Sequence, residues 1–181
     1  SEVAGTVAAA ISRYVVDLAL TSAAAPCLST VPGHALYLAA ISTMHRFARH
    51  EFESALPMLE QLQERAPRHS DVLAWIARWH VLRVVQGWTH DANHDSLRAL
   101  SFADRALDRN PDSSLALTVR GSAEIGLRGE IGNGLELYEQ ALRLNPNESL
   151  AWLLKSVADG IWGNVDAAEN AAATAGKLAS L

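Results

Sequence analysis

The feature that most limits how this chain can fold is a recurrence marked by proline. The segments SALPMLEQLQERAP, ALSFADRALDRNP and GLELYEQALRLNP each carry a charged, amphipathic stretch that stops at Pro67, Pro111 and Pro146. Pro111 and Pro146 lie 35 residues apart, whereas Pro67 and Pro111 lie 44 apart, so the middle unit holds an insertion, placed at 87–96. With the proline at unit position 32, small residues fall into register as well. Position 20 holds Ala55, Ala99, Gly134 and Ala168; position 27 holds Leu62, Ala106, Ala141 and Ala175; position 8 holds Thr43, Ala77, Ser122 and Ser156. A proline spacing alone could arise by chance. Small side chains recurring with it say that two helices cross closely in each unit, and units of this length bury their apolar faces on their neighbours.

The rest of the pattern is helical. Apolar residues recur at 3.6-residue spacing and nothing alternates with period two over a strand length. Pro and Gly punctuation predicts helices at 2–20, 35–48, 52–64, 70–86, 96–109, 114–127, 131–143, 148–161 and 165–178. Caps are expected from Ser70-Asp71, Asp95-Ser96, Asp112-Ser113 and Asn147-Glu148, whose side-chain oxygens can accept from free backbone N–H groups. Residues 1–34 read as an N-terminal helix and connector. Residues 35–181 read as the repeat array, with units at 36–67, 68–111, 115–146 and 149–181.

Here the chain resembles tetratricopeptide-repeat proteins, whose unit is a helix–turn–helix of about 34 residues. The resemblance rests on the aligned prolines and small residues, on Trp152 as the early tryptophan of the pattern, and on the recurring turns His50-Glu51-Phe52, Gly129-Glu130-Ile131 and Gly163-Asn164-Val165. Position 4 departs from the pattern, with Ala39, Leu73 and Thr118, and position 11 lacks its Tyr. More narrowly, HRFARHEFESALPMLEQLQERAPRH, LAWIARWHVLRVVQGW and NPNESLAWLLKS look like the repeat region of bacterial nucleotidyl-cyclase-like and winged-helix regulators, although the chain carries neither a cyclase motif nor a winged helix. The resemblance implies an all-α, right-handed solenoid that serves protein–protein interaction or assembly in a larger bacterial signalling or transcription-regulating protein.

Composition removes several classes. The 181 residues are 49% apolar and 19% charged, too apolar for disorder and long enough to bury a core. The net charge is −5 and the basic residues are scattered, which argues against a nucleic-acid binder. Cys27 is the single thiol, so no intrachain disulfide can form. No Asp, Glu, Lys or Arg falls between Asp17 and Arg46, but Pro26, Pro32 and Gly33 interrupt that interval, so a connector is expected there and not a membrane span. Glu2 and the lack of a basic cluster give no sign of a secretory leader. A cytoplasmic setting is the expectation.

Few residues suggest chemistry. The inserted loop GWTHDANHDS gathers His90, Asp91, His94 and Asp95, the only metal-like group, and a metal-dependent hydrolase using His90 and His94 is the rival reading. The plainer reading is a polar loop in which Asp95 or Ser96 caps the next helix, with no metal, no cofactor and no catalytic residue. Trp75 and Trp79 raise a third reading, a small-ligand pocket, against core filling between repeats. In stacked repeats positions 2, 5, 9 and 12 of each first helix line a concave channel. Those positions include Asp71, Leu150 and Val157, and among them Tyr37, Met44, Phe47, Arg78, Val81 and Leu153 are the expected partner-binding groove. Only Arg78 resembles the cations of a carboxylate clamp, so the apolar face of a peptide helix is the expected ligand, unless the first helix, VAGTVAAAISRYVVDLAL, fills the groove or caps the array's end. Trp152, Leu154 and Trp162 form a candidate face for a homodimer.

Overall fold

A computed structural model of the chain describes residues 31–46 and 48–179. The helix expected at 2–20 and the groove residue Phe47 lie outside them. Eight α-helices follow in order: α1 Gly33–Met44, α2 Arg49–Arg65, α3 Ser70–Val85, α4 Ala92–Arg109, α5 Ser114–Ala123, α6 Ile131–Leu144, α7 Ser149–Trp162 and α8 Val165–Ala179. Among the described residues there is no strand, and no helix is long and apolar enough to cross a membrane.

Consecutive helices pack as antiparallel hairpins, α1 with α2, α3 with α4, α5 with α6 and α7 with α8. Each odd-numbered helix also touches the next odd-numbered one, so that these four build one layer against which the even-numbered helices lie. The even helices carry a single apolar stripe. In α4 the buried residues Ala99, Phe102, Ala103 and Ala106 step by three and four, and in α2 Phe52, Ala55, Leu59 and Leu62 do the same. The middle odd helix differs. Every residue of α3 from Ser70 to Val81 is buried apart from Asp71, because α1, α2, α4 and α5 all press on it. Leu36, Phe52, Met58, Leu59, Leu73 and Ile76 are fully enclosed there, each such side chain adding about 1.5–3 kcal/mol of burial free energy.

The small residues of the repeat stand where the hairpin helices cross. Ala55, Ala99 and Gly134 are buried, as are Thr43, Ala77 and Ser122 on the facing helices. The turns expected at Gly129 and Gly163 place both glycines at positive φ, 74° and 88°, which ends a helix in a left-handed residue at no cost in side-chain clash.

Several local expectations are corrected. Neither Ser70-Asp71 nor Asn147-Glu148 supplies a side-chain cap, since α3 and α7 begin without a side-chain cap hydrogen bond. The helix expected to begin at 96 begins at Ala92, and its cap is Asp91, which accepts from the His94 backbone N–H at 2.9 Å, in place of Asp95 or Ser96. The helix expected to run unbroken over 114–127 changes after Ala123 into a π-helical turn, Glu124–Arg128. That turn buries Glu124, which receives Arg120 and Arg128, and it sets Ile125 beside Gly134.

Candidate functional site

Helices α1, α3, α7 and α8 border a channel of about 550 Å³ walled by Ile41 of α1 and His45 at its C-cap, Trp75 of α3, Leu150 and Leu153 of α7, and Ala172 and Gly176 of α8. Its wall is overwhelmingly apolar. Trp75 is the fixed point, because its indole N–H donates to the Tyr37 hydroxyl at 2.8 Å, and the His45 ring stands edge-on to it at 6.1 Å. Past Trp75 the channel opens into a second, polar hollow of about 490 Å³ lined by Tyr37, Asp71, Asp112, Ser113, Ser114 and Glu148. Trp75 and Glu148 belong to both walls. The carboxylates come from the starts of the odd helices: Asp71 lies in the first turn of α3, Asp112 just before α5, and Glu148 at the N-cap of α7. Burial pushes the Tyr37 phenol up, the Trp75 hydrogen bond opposes this, and the negative charges of Asp71 and Glu148 push it further up. Tyr37 is therefore a neutral donor and acceptor at physiological pH.

Of the groove residues expected from repeat position, Tyr37 and Leu153 stand on this wall. Met44, Arg78 and Val81 do not: they are 2%, 6% and 3% exposed and belong to the interior. The position rule fails for them because α3 is covered on all sides. Arg78 pairs with no carboxylate among the described residues, and its Nε has no partner. Burial brings its guanidinium down to about 10, with the neighbouring Tyr138 pulling the other way. Leu150 and Asp71, at channel positions of the repeat, and Ile41, His45, Asp112 and Glu148, which repeat position did not single out, complete it. Leu150, Asp71 and Tyr37 share a channel position in the repeat pattern, but the convergence of helix N-termini required the stacking itself.

The loop cluster comes apart. His90, Asp91 and His94 are exposed, while Asp95 turns inward. Its Oδ1 accepts from His80 Nδ1 at 2.7 Å, its Oδ2 accepts from the Thr89 hydroxyl, and Arg83 Nη1 lies 3.5 Å away. Asp95 thus ties the insertion and the first turn of α4 to α3. No group of three or more His, Cys, Asp or Glu side chains among the described residues is placed to hold a metal ion. Trp79 is enclosed by stacking on Phe52 at 5.2 Å, with its indole N–H donating to the Phe52 carbonyl at 3.0 Å, and Trp88 meets the same ring edge-on. Trp75, in contrast, lines the channel. Of the candidate dimer residues Trp152, Leu154 and Trp162, the first two are half-buried and Trp162 is exposed. Trp152 folds back so that its indole N–H donates to the Pro146 carbonyl, and Trp162 lies ten residues on, about 15 Å along the helix.

This architecture is that of a tetratricopeptide-repeat solenoid. TTC0263, a thermophilic TPR protein of Thermus thermophilus, superposes with a TM-score of 0.61 at 18% identity, over 81% of this chain and 74% of that one. MamA of Desulfovibrio magneticus RS-1 superposes with a TM-score of 0.52 at 15% identity, over 96% of each chain. Identities this low carry the fold alone. No protein-family model and no curated protein sequence matches the chain.

Proposed function

We propose that the chain is a non-catalytic interaction module that receives a protein partner in the channel between α1, α3, α7 and α8. The observation that carries this is the apolar wall itself: Leu153 is 50% exposed on a helix whose other side is packed, beside an aromatic side chain held in place by a hydrogen bond. An open, preformed apolar channel costs little to occupy and suits the apolar face of a peptide helix. The same reading makes the chain the regulatory or assembly region of a larger bacterial signalling or transcription-regulating protein of the cytoplasm. The supporting observation is the sequence resemblance of 45–69, 73–88 and 145–156 to the repeat regions of such regulators. A second contact, between copies of this chain, is favoured by the apolar corner of Ile161, Trp162 and Val165, all more than 60% exposed.

Photocrosslinking tests the channel directly. A benzophenone amino acid at Leu153 should trap the partner in cells, whereas the same group at the exposed Asp108 should not. With the partner in hand, Leu153→Glu should weaken binding about tenfold or more, as loss of a central apolar anchor does. A partner that binds Leu153→Glu at full affinity would place the site elsewhere.

A further inference from the structure

We propose that the occupant of the channel is a cationic amphipathic helix, its apolar face on the Trp75 and Leu153 wall and its Lys or Arg side chains gathered at the end that meets Asp71, Asp112 and Glu148. This rests on the channel reading above and adds the chemistry of the partner. Two observations carry it. The first is the shape of the apolar surface. Leu153, Val157 and Ile161 follow one another at steps of four along α7 and are 50%, 55% and 63% exposed. Leu153 lines the channel, and the exposed row continues beyond it along α7 to a length of about 12 Å, matched by two turns of an incoming helix with apolar residues at every third or fourth place.

The second observation is charge. Three carboxylates line the polar end of the channel, and no Lys or Arg shares either wall with them. Asp71 and Asp112 pair with no cation among the described residues, and Glu148 receives only the Ser114 hydroxyl at 3.1 Å. Arg78, the cation that a clamp for a C-terminal carboxylate would need, is in the interior. An anionic segment would therefore meet like charge at one end and gain no counter-charge anywhere along the channel. A cationic one finds three unpaired acceptors beside the place where its apolar side chains are buried. Negative charge at a helix N-terminus is favoured by the helix dipole, and the outer carboxylate oxygens here are open to a partner. Rim charges of this kind act on encounter rate, salt dependence and choice of partner more than on total affinity.

Three synthetic peptides of about 14 residues, near four helical turns, provide the probe. They share Leu at alternating three- and four-residue steps and differ only in three terminal residues, Lys, Gln or Glu. Each is titrated into the full chain, reading the Trp75 indole N–H signal, assigned with Trp75→Phe. The Lys peptide should shift that signal and bind about tenfold or more tightly than the Glu peptide at low salt, and this preference should shrink as salt rises. In the Asp71→Asn/Glu148→Gln variant, which leaves Asp112 alone at the polar end, most of the Lys peptide's preference over the Gln and Glu peptides should be lost. Equal binding of all three with a shifted Trp75 signal would overturn the charge assignment and leave the channel standing. Binding that leaves the Trp75 signal in place and survives Leu153→Glu, or no binding by any peptide, would overturn both.

Discussion

His80 sits in the middle of α3 with one ring nitrogen committed and the other stranded. Nδ1 donates to the ionised Asp95, and Nε2 is a buried acceptor with no partner. Adding a proton at Nε2 would bury an N–H with nothing to receive it. Burial accordingly lowers the His80 pKa, the Asp95 bond opposes this, and Arg98 and Arg83 lower it again. The sign for stability follows. The unfolded chain takes up this proton near its ordinary value of about 6.5, the folded chain only at lower pH, so stability is lost as pH falls below about 6.5. Burial acts to raise the Asp95 pKa, but the Thr89 and His80 hydrogen bonds and the Arg83 charge outweigh it and hold it below the usual carboxylate range. Its contribution lasts to more acid pH. Urea midpoints at about pH 7.5 and 5.5 should differ clearly for the parent and much less for His80→Asn, which can still donate to Asp95 but cannot titrate in this window. An equal drop in both proteins would remove His80 as the source. Nothing in the sequence marks this pair, because fifteen residues and the whole insertion separate His80 from Asp95. The sequence offered Asp95 as a helix cap, with a metal site as the rival reading, and the fold turns its side chain inward to His80.

At the scale of elements, the hairpin of α5 and α6 shows what the small repeat positions demand. A Cβ at Gly134 would stand 2.3 Å from Ile125 Cγ1 and 2.9 Å from the Gly121 carbonyl, and one at Gly121 would stand 2.8 Å from the Tyr138 ring. The two backbones touch through these glycines. Gly134→Ala should therefore cost about 1–3 kcal/mol by overpacking even though alanine is the better helix former. Gly132→Ala, two residues earlier in open space, should be neutral or gain up to about 1 kcal/mol. Thermal melts of the pair check this, and a Gly134→Ala protein as stable as Gly132→Ala would show that the crossing relaxes. The crossings were legible because close approach forbids large side chains at a fixed place in each unit, a demand that leaves its mark in sequence. The π turn after Ala123 was not, since a change of hydrogen-bond partner needs no particular residue. The start of α4 was missed for a related reason: Asp91 and Asp95 are equally good caps on paper, and only the inward pull of His80 decides between them.

For the whole molecule, the distribution of burial decides where a second contact would form. The middle helix α3 is enclosed, whereas α7 and α8 together bury few side chains, chiefly Ala151, Ala158, Asp159, Ala171 and Ala175. Repeat position treats every odd helix as equally open, whereas burial differs along the layer: Leu153 is half exposed, and Arg78 and Val81 are enclosed. The same gradient leaves Ile161, Trp162 and Val165 uncovered at the turn between α7 and α8, with little charge around them in α8 beyond Asp166, Glu169 and Lys177. A repeat array buries each apolar face on the next unit, so such a corner calls for a covering surface. If a second copy supplies it, the contact is isologous, Trp162 meets the same patch across a two-fold axis, and a stable dimer should remove at least about 1,000 Å² from water. Light scattering should then show a mass that rises from one chain toward two with concentration, and Trp162→Glu should hold the mass at one chain, because two buried carboxylates would face each other without counter-charge. A mass of one chain for the parent at high micromolar concentration would overturn the dimer and leave the corner for a different protein to cover.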